Sequence, residues 1–190
     1  MIYLASSSPR RAALLRQVGI EYTVIEPHID ERPRPAEPGL VYARRLAREK
    51  CLTGLERIAA AHQPEGPVLA ADTVVLLGDE ILHKPDTDSD ARELLQRLSG
   101  SEHGVLTALC LGVGGRLRES LCASRVTFKF LRDAEIDAYC RTGEPLGKAG
   151  GYAIQGRAAF FIRRLEGSYS GVMGLPLYEL GEMLSAEGLL

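Results

Sequence analysis

Apolar and polar positions along this chain switch between two periods, and the switches mark the elements. Ile2-Tyr3-Leu4-Ala5 is a short apolar run that reads as a strand, ended by Ser6-Ser7-Ser8-Pro9. Ser8 is placed as a helix N-cap and Pro9 as the first helical residue, where a missing N–H does no harm. Leu14, Leu15 and Val18 then give an apolar face to a helix over about Pro9 to Val18. Tyr22 to Ile25 reads as a second strand. The polar stretch Glu26 to Glu37 holds Pro27, Pro33 and Pro35, which exclude a helix and predict a loop over an open surface. From Pro38 to about His62, the residues Leu40, Ala43, Ala47, Cys51, Leu55 and Ile58 recur at three and four. That is the spacing of an amphipathic helix, with Lys50 at the border of its stripe.

Val68 to Leu77 is a dense apolar run interrupted only by Asp72 and Thr73, the pattern of a strand buried on both faces. Gly78-Asp79 turns it into a second arm at Glu80 to Lys84. Asp88 is placed to cap a helix ending near Ser99-Gly100. Gly104 to Val113 and Arg116 to Phe130 predict a long hairpin turning at Gly114-Gly115, and Asp133 is placed to cap another helix, stopped by Gly143. A glycine-rich stretch Gly143 to Gly156, a strand near Ala159 to Arg163, a loop Glu166 to Gly174 and a last helix opened by Pro176 complete the chain. No repeat or linker interrupts it. Helices alternating with strands, plus one long antiparallel pair, predict an α/β fold with a mixed sheet, and residues 1–190 are expected to form one domain, with room for two lobes.

Composition narrows the function. With 23 Lys+Arg against 25 Asp+Glu, the net charge of −2 supplies no field for wrapping nucleic acid, so any anion site must be local. Cys51, Cys110, Cys122 and Cys140 lack CxxC spacing and read as reduced, mostly buried thiols. No apolar stretch approaches a membrane span and no charged leader precedes the first strand, so a cytoplasmic location is expected.

Two motifs mislead. Gly143 to Lys148 imitates a phosphate loop, but only three residues separate Gly143 from Gly147 and Ala149 stands where a metal-binding hydroxyl is needed. Gly167-Ser168-Tyr169-Ser170-Gly171 imitates a nucleophile elbow with a tyrosine in the serine's place. His28, His62, His83 and His103 share no ligand spacing, and no structural zinc is expected.

The chemistry concentrates elsewhere. Arg10 and Arg11 fall in the first turn of a helix, where cations oppose the positive end of the dipole. An anion such as a polyphosphate would complete that corner. Asp72 is an acid inside an apolar strand, so it must be hydrogen-bonded, paired or used. Asp30 and Glu31 add acids on the open loop. One of them facing Asp72 would suit a magnesium ion, which favours carboxylate oxygens plus substrate phosphates. Lys50 and Lys84 can each reach a phosphate as point charges, though taken singly a surface lysine is the ordinary reading.

Together these pieces resemble one family. Leu4 to Arg11, Asp30-Glu31, Ala47 to Lys50, Ala71-Asp72-Thr73, Lys84-Pro85, Leu98-Ser99-Gly100, Ala149 to Gly156 and Gly167-Ser168-Tyr169 through Gly174-Leu175-Pro176-Leu177 look like the Maf family of nucleoside triphosphate pyrophosphatases, from residue 2 to about residue 185. The resemblance implies a two-lobed α/β fold like that of the inosine triphosphate pyrophosphatases, with the active site in the cleft between lobes. It also implies hydrolysis of a nucleoside triphosphate between the α and β phosphates with a divalent metal: magnesium, with manganese or cobalt as substitutes. Carried over, Asp72 becomes the proton acceptor, Ser8, Arg10, Lys50 and Lys84 hold the triphosphate, and Glu31 helps bind the metal.

The family branch that favours dTTP and UTP resembles this chain at Arg11, Thr73 and Gln155, which are therefore the expected specificity residues. The 7-methyl-GTP branch instead shows Ser-Pro-Trp-Arg and Asp-Gln, and neither is present. A glutamine amide both donates and accepts, which suits the O4 and N3–H edge of uracil or thymine. His83, before Lys84-Pro85, departs from the glycine or acid common in the family and changes the local charge beside Lys84. The expected partner is a small nucleotide, with neither nucleic acid nor membrane, and any self-association is expected to be a homodimer. The alternatives are a nucleotide-binding regulator of septum formation, which would need no Asp72, and a purine- or 7-methyl-GTP-directed pyrophosphatase.

Overall fold

The computed structural model describes residues 1–190. One sheet organises the chain, in the order β2-β1-β3-β5-β6-β7, with β4 pairing β3. The strands are β1 Ile2–Ala5, β2 Tyr22–Ile25, β3 Val68–Leu77, β4 Glu80–Leu82, β5 Glu102–Val113, β6 Arg116–Phe128 and β7 Ile162–Glu166. β1 lies parallel to β2 and β3, and every other pairing is antiparallel, so the sheet is mixed. The helices are α1 Pro9–Gln17, α2 Gly39–Ala60, α3 Asp88–Leu98, α4 Asp133–Cys140, α5 Tyr169–Met173 and α6 Leu177–Ala186.

Strand alternation explains the burial of β1 and β3 on both faces. Tyr3, Ala5, Val68 and Ala70 pack with Leu46, Ala47 and Cys51 of α2. Ile2, Leu4, Leu69 and Ala71 pack on the opposite face with Leu14 and Leu15 of α1 and Leu180 and Leu184 of α6. A third cluster gathers α3 and α4 around Phe128, Val126 and Phe161. The predicted α/β class and mixed sheet are therefore what the chain forms.

Several boundaries differ from the sequence reading. The strand expected near Ala159 to Arg163 begins at Ile162, because Arg157–Phe160 winds into a 3-10 turn first. The stretch Glu166 to Gly174, read as a loop, contains α5, whose N-cap Ser168 accepts from the Gly171 N–H. α3 is capped by Thr87 rather than Asp88, and Asp90 returns the bond to the Thr87 N–H. The Gly114-Gly115 turn is as expected: both residues have positive φ, 54° and 76°, as a two-residue type I′ hairpin requires.

One interruption in the sheet positions the site. β1 pairs β3 only at Val68 and Leu69, and β4 pairs the same side only from Val75 onward. Between them the β3 edge has no strand beside it, and Asp72 and Thr73 sit in that gap while β5 pairs their other side.

Candidate active site

A cavity of about 290 Å³ opens at the gap. Its walls are the Ser6 to Arg11 corner where β1 gives way to α1, the β3 residues Asp72 and Thr73, Glu31 of the proline-rich loop, Lys50 of α2, Lys84, the Lys148 to Gln155 segment, and Val172 and Met173 of α5. A second hollow of about 320 Å³ adjoins it and shares Glu31, Asp72, Thr73, Lys84 and Ala149. All nine residues singled out from the sequence, Ser8, Arg10, Arg11, Glu31, Lys50, Asp72, Thr73, Lys84 and Gln155, line the first cavity.

Consecutive β3 residues point to opposite faces, so Asp72 and Thr73 serve two networks. Asp72 turns toward α2. Lys50 Nζ lies 2.6 Å from Asp72 Oδ1 and 2.7 Å from Glu31 Oε1, while Lys84 Nζ lies 2.8 Å from Glu31 Oε2. Lys50 is not at the border of its helix stripe but within it, 5% exposed, as is Asp72. Burial pushes the Glu31 carboxyl up, but the Lys50 and Lys84 ammoniums outweigh it and hold it at about 2. Tyr42 fixes the Glu31 backbone by donating to its carbonyl at 2.7 Å. Neighbouring Asp30 faces away and pairs with Arg32, so only Glu31 of that acidic pair reaches the cavity.

Thr73 turns toward α1. Arg11 is buried, and its guanidinium donates to the Gly174 carbonyl at 2.8 Å, Ser6 Oγ at 3.0 Å and Thr73 Oγ1 at 3.3 Å. Protein acceptors therefore complete one half of the arginine pair that the sequence left seeking an anion. Gly174 makes this possible. It ends α5 at φ 116°, a conformation that residues with a Cβ rarely adopt. Arg10 donates from Nε to the Met173 carbonyl at 3.4 Å, leaving its terminal nitrogens without protein partners. Ser8 occupies the N-cap position, yet its hydroxyl makes no capping bond and stays free on the cavity wall.

Lys148 was passed over in the sequence because the stretch around it fails as a phosphate loop. It lines the cavity, donates to the Glu144 carbonyl, and has no carboxylate partner. Burial and then the Arg10 charge pull its pKa down. Since Lys50 and Lys84 are balanced by two carboxylates, Arg10 and Lys148 are the cations whose charge remains for an incoming anion. The only signal for Lys148 in the sequence was its place seven residues before Gln155.

Gln155 is exposed, and its amide makes no hydrogen bond within the chain. Its segment is held from behind: Tyr152 OH meets His103 Nε2 at 2.8 Å, and Ala153 N–H donates to Tyr139 OH at 3.2 Å. His103 is the one buried histidine, packed edge-on against Phe128.

The donor set suits a hard divalent cation. No group of three or more His, Cys, Asp and Glu gathers on the chain. Glu31 and Asp72, bridged by one ammonium, offer two carboxylates, the number magnesium uses when phosphate and water oxygens fill its other positions.

A mixed α/β sheet with a cation-lined cleft around two carboxylates defines a protein built to hold a phosphorylated small molecule. The chain belongs to the Maf family: residues 1–187 match the family model described as Maf-like protein. A dTTP/UTP pyrophosphatase of Chromobacterium violaceum is 46% identical over 187 residues, covering 98% of this chain and 94% of its own. Another, of Alkalilimnicola ehrlichii, is 50% identical over 184 residues, covering 96% and 91%. The solved Staphylococcus aureus Ham1 protein overlaps 67% of this chain and 71% of its own at a TM-score of 0.41 and 14% identity.

Proposed function

We propose that this chain hydrolyses dTTP and UTP between the α and β phosphates, releasing the nucleoside monophosphate and pyrophosphate. The observation that carries the reading is one cavity in which Asp72 stands among the cations Arg10, Lys50, Lys84 and Lys148, with Gln155 lining it too. Relatives of similar length and 46–50% identity named dTTP/UTP pyrophosphatase support it.

Ser8, Arg10, Lys50, Lys84 and Lys148 hold the triphosphate, and Arg11, Thr73 and Gln155 select the base, Gln155 by donating its amide N–H to the pyrimidine 4-carbonyl. One Asp72 oxygen is engaged by Lys50, which orients the carboxylate; the other makes no hydrogen bond and faces the cavity. That oxygen takes a proton from the attacking water as the water oxygen bonds to the α-phosphorus. The bond from that phosphorus to the bridging oxygen breaks, and the oxygen leaves on pyrophosphate, its charge met by Arg10 and Lys148. Glu31 would help hold the divalent metal together with phosphate oxygens, and the metal would neutralise phosphate charge.

The chain is read as one domain whose two lobes meet at the gap in the β3 edge. Its four free, buried cysteines suit the reducing cytoplasm, where nucleoside triphosphates are found. No helix is long and apolar enough to cross a membrane.

The test is a panel of dTTP, UTP, CTP, GTP, ITP and 7-methyl-GTP with magnesium, following pyrophosphate and orthophosphate separately. Pyrophosphate released fastest from dTTP and UTP is the expected result. Orthophosphate and a diphosphate would overturn the cleavage position, a purine preference would overturn the base assignment, and binding without turnover would favour a regulatory protein.

A further inference from the structure

Behind Thr73, on the same face of the sheet, lies Thr107 of β5, its direct partner in the β3–β5 register and only 1% exposed. Thr107 Oγ1 is 2.8 Å from the Gly171 carbonyl of α5 and 3.0 Å from Thr73 Oγ1. A threonine hydroxyl has one proton. Buried as it is, Thr107 must give that proton to the Gly171 oxygen, because the opposite arrangement would press two lone pairs together at 2.8 Å without a hydrogen between them. Thr107 can then only accept from Thr73. Thr73 in turn accepts from Arg11 Nη2 at 3.3 Å, and so its single proton and one lone pair are both committed within the protein. What it has left to offer the cavity is a lone pair.

We propose that Thr107 is a positioning residue for base selection: by taking the only proton of Thr73, it turns Thr73 into a pure acceptor that pairs with the N3–H of uracil or thymine and refuses the bare N3 of cytosine. This rests on the pyrimidine reading given above. The 4-carbonyl of the base would meet Thr73 lone pair against lone pair, so Thr73 faces N3 and Gln155 is left for the 4-carbonyl. The polarity is set two residues deep, by a Thr107 proton pinned to a main-chain carbonyl of α5. Neither Thr107 nor Gly171 lines the cavity, so the device is invisible from the substrate side.

Thr107→Val keeps the shape of the side chain and removes the acceptor, freeing the Thr73 proton to swing toward the cavity and donate to cytosine N3. The measurement is kcat/KM for UTP and CTP on wild type, Thr107→Val, Thr107→Ser and Thr73→Val, with Tm recorded for each. The expected result is a fall of about tenfold or more in the UTP-to-CTP ratio for Thr107→Val, most of it through a gain on CTP, with the wild-type ratio restored by Thr107→Ser. Thr73→Val, which has no acceptor to present, should also lose the ratio, by a loss on UTP. An unchanged ratio in Thr107→Val, or equal losses on both nucleotides, overturns the proposal and leaves Thr107 a support for α5 or for a sugar contact. If Thr107→Val does not fold, Thr73→Val with an intact ratio overturns it equally. A wild-type enzyme without any preference for UTP over CTP would instead remove the pyrimidine reading itself, whatever the variants do.

Discussion

The Lys50 ammonium stands 2.6 Å from one oxygen of Asp72 in a setting where each residue is only 5% exposed, and Glu31 takes the same ammonium from the other side at 2.7 Å. Taking charges out of water is costly, and a buried pair is weak evidence for stability by itself. Here the pair joins α2 to the strand gap and holds one Asp72 oxygen still while the other faces the cavity.

Asp72→Asn preserves size and still accepts from Lys50, but it removes the proton acceptor. Pyrophosphate release from dTTP should fall about a hundredfold or more while the protein stays folded. Near-normal turnover in a folded variant would reassign the role.

Glu31→Gln keeps the shape beside Lys50 and Lys84 and removes the second carboxylate. The magnesium concentration giving half-maximal rate should rise by more than about tenfold, the scale lost even when an outer partner of a metal ligand is removed. A magnesium titration that superimposes on wild type would take Glu31 out of the metal site.

Lys148→Ala removes a cation that no carboxylate balances. kcat/KM should fall about tenfold or more for dTTP, UTP, CTP and GTP alike, since phosphates carry no base identity and a charge-assisted contact is worth about 1.5–3 kcal/mol. A loss confined to one base would move Lys148 to the other end of the cavity.

Gln155→Ala leaves a base carbonyl without its donor. It should cost about 1–3 kcal/mol in kcat/KM for dTTP and UTP and much less for CTP. Uniform loss across the bases would show that Gln155 positions its segment and does not read the base.

His103 gives the fold an acid-sensitive step. Burial holds its imidazole at about 4, below the ordinary 6.5, so between those values the unfolded chain binds a proton that the folded chain does not. The His103 contribution is complete above pH 6.5 and is lost as pH falls toward 4, by up to about 3 kcal/mol. Denaturant melts from pH 7 to 4 should show this slope in wild type and a shallower one in His103→Gln. Parallel slopes would assign the acid loss to other groups.

Sequence by itself determined whatever depends on near neighbours. Short apolar or β-branched runs bounded by turn residues set β1, β2 and β3 to the residue, and two adjacent glycines set the Gly114-Gly115 hairpin, because strand propensity and positive φ are local demands. The Ser-Pro-Arg-Arg corner was legible for the same reason. α5 was hidden, since five residues between two glycines carry no helical period, and their fold depends on Ser168, Arg11 and Thr107 arriving from elsewhere. Asp72 could be suspected alone, as an acid in an apolar strand. That Lys50 and Glu31 meet it while Arg11 and Thr107 meet its neighbour Thr73 was decided only by the tertiary structure. A strand sends adjacent side chains to opposite faces, and only the packing of α1 and α2 on those faces says which charge each will find.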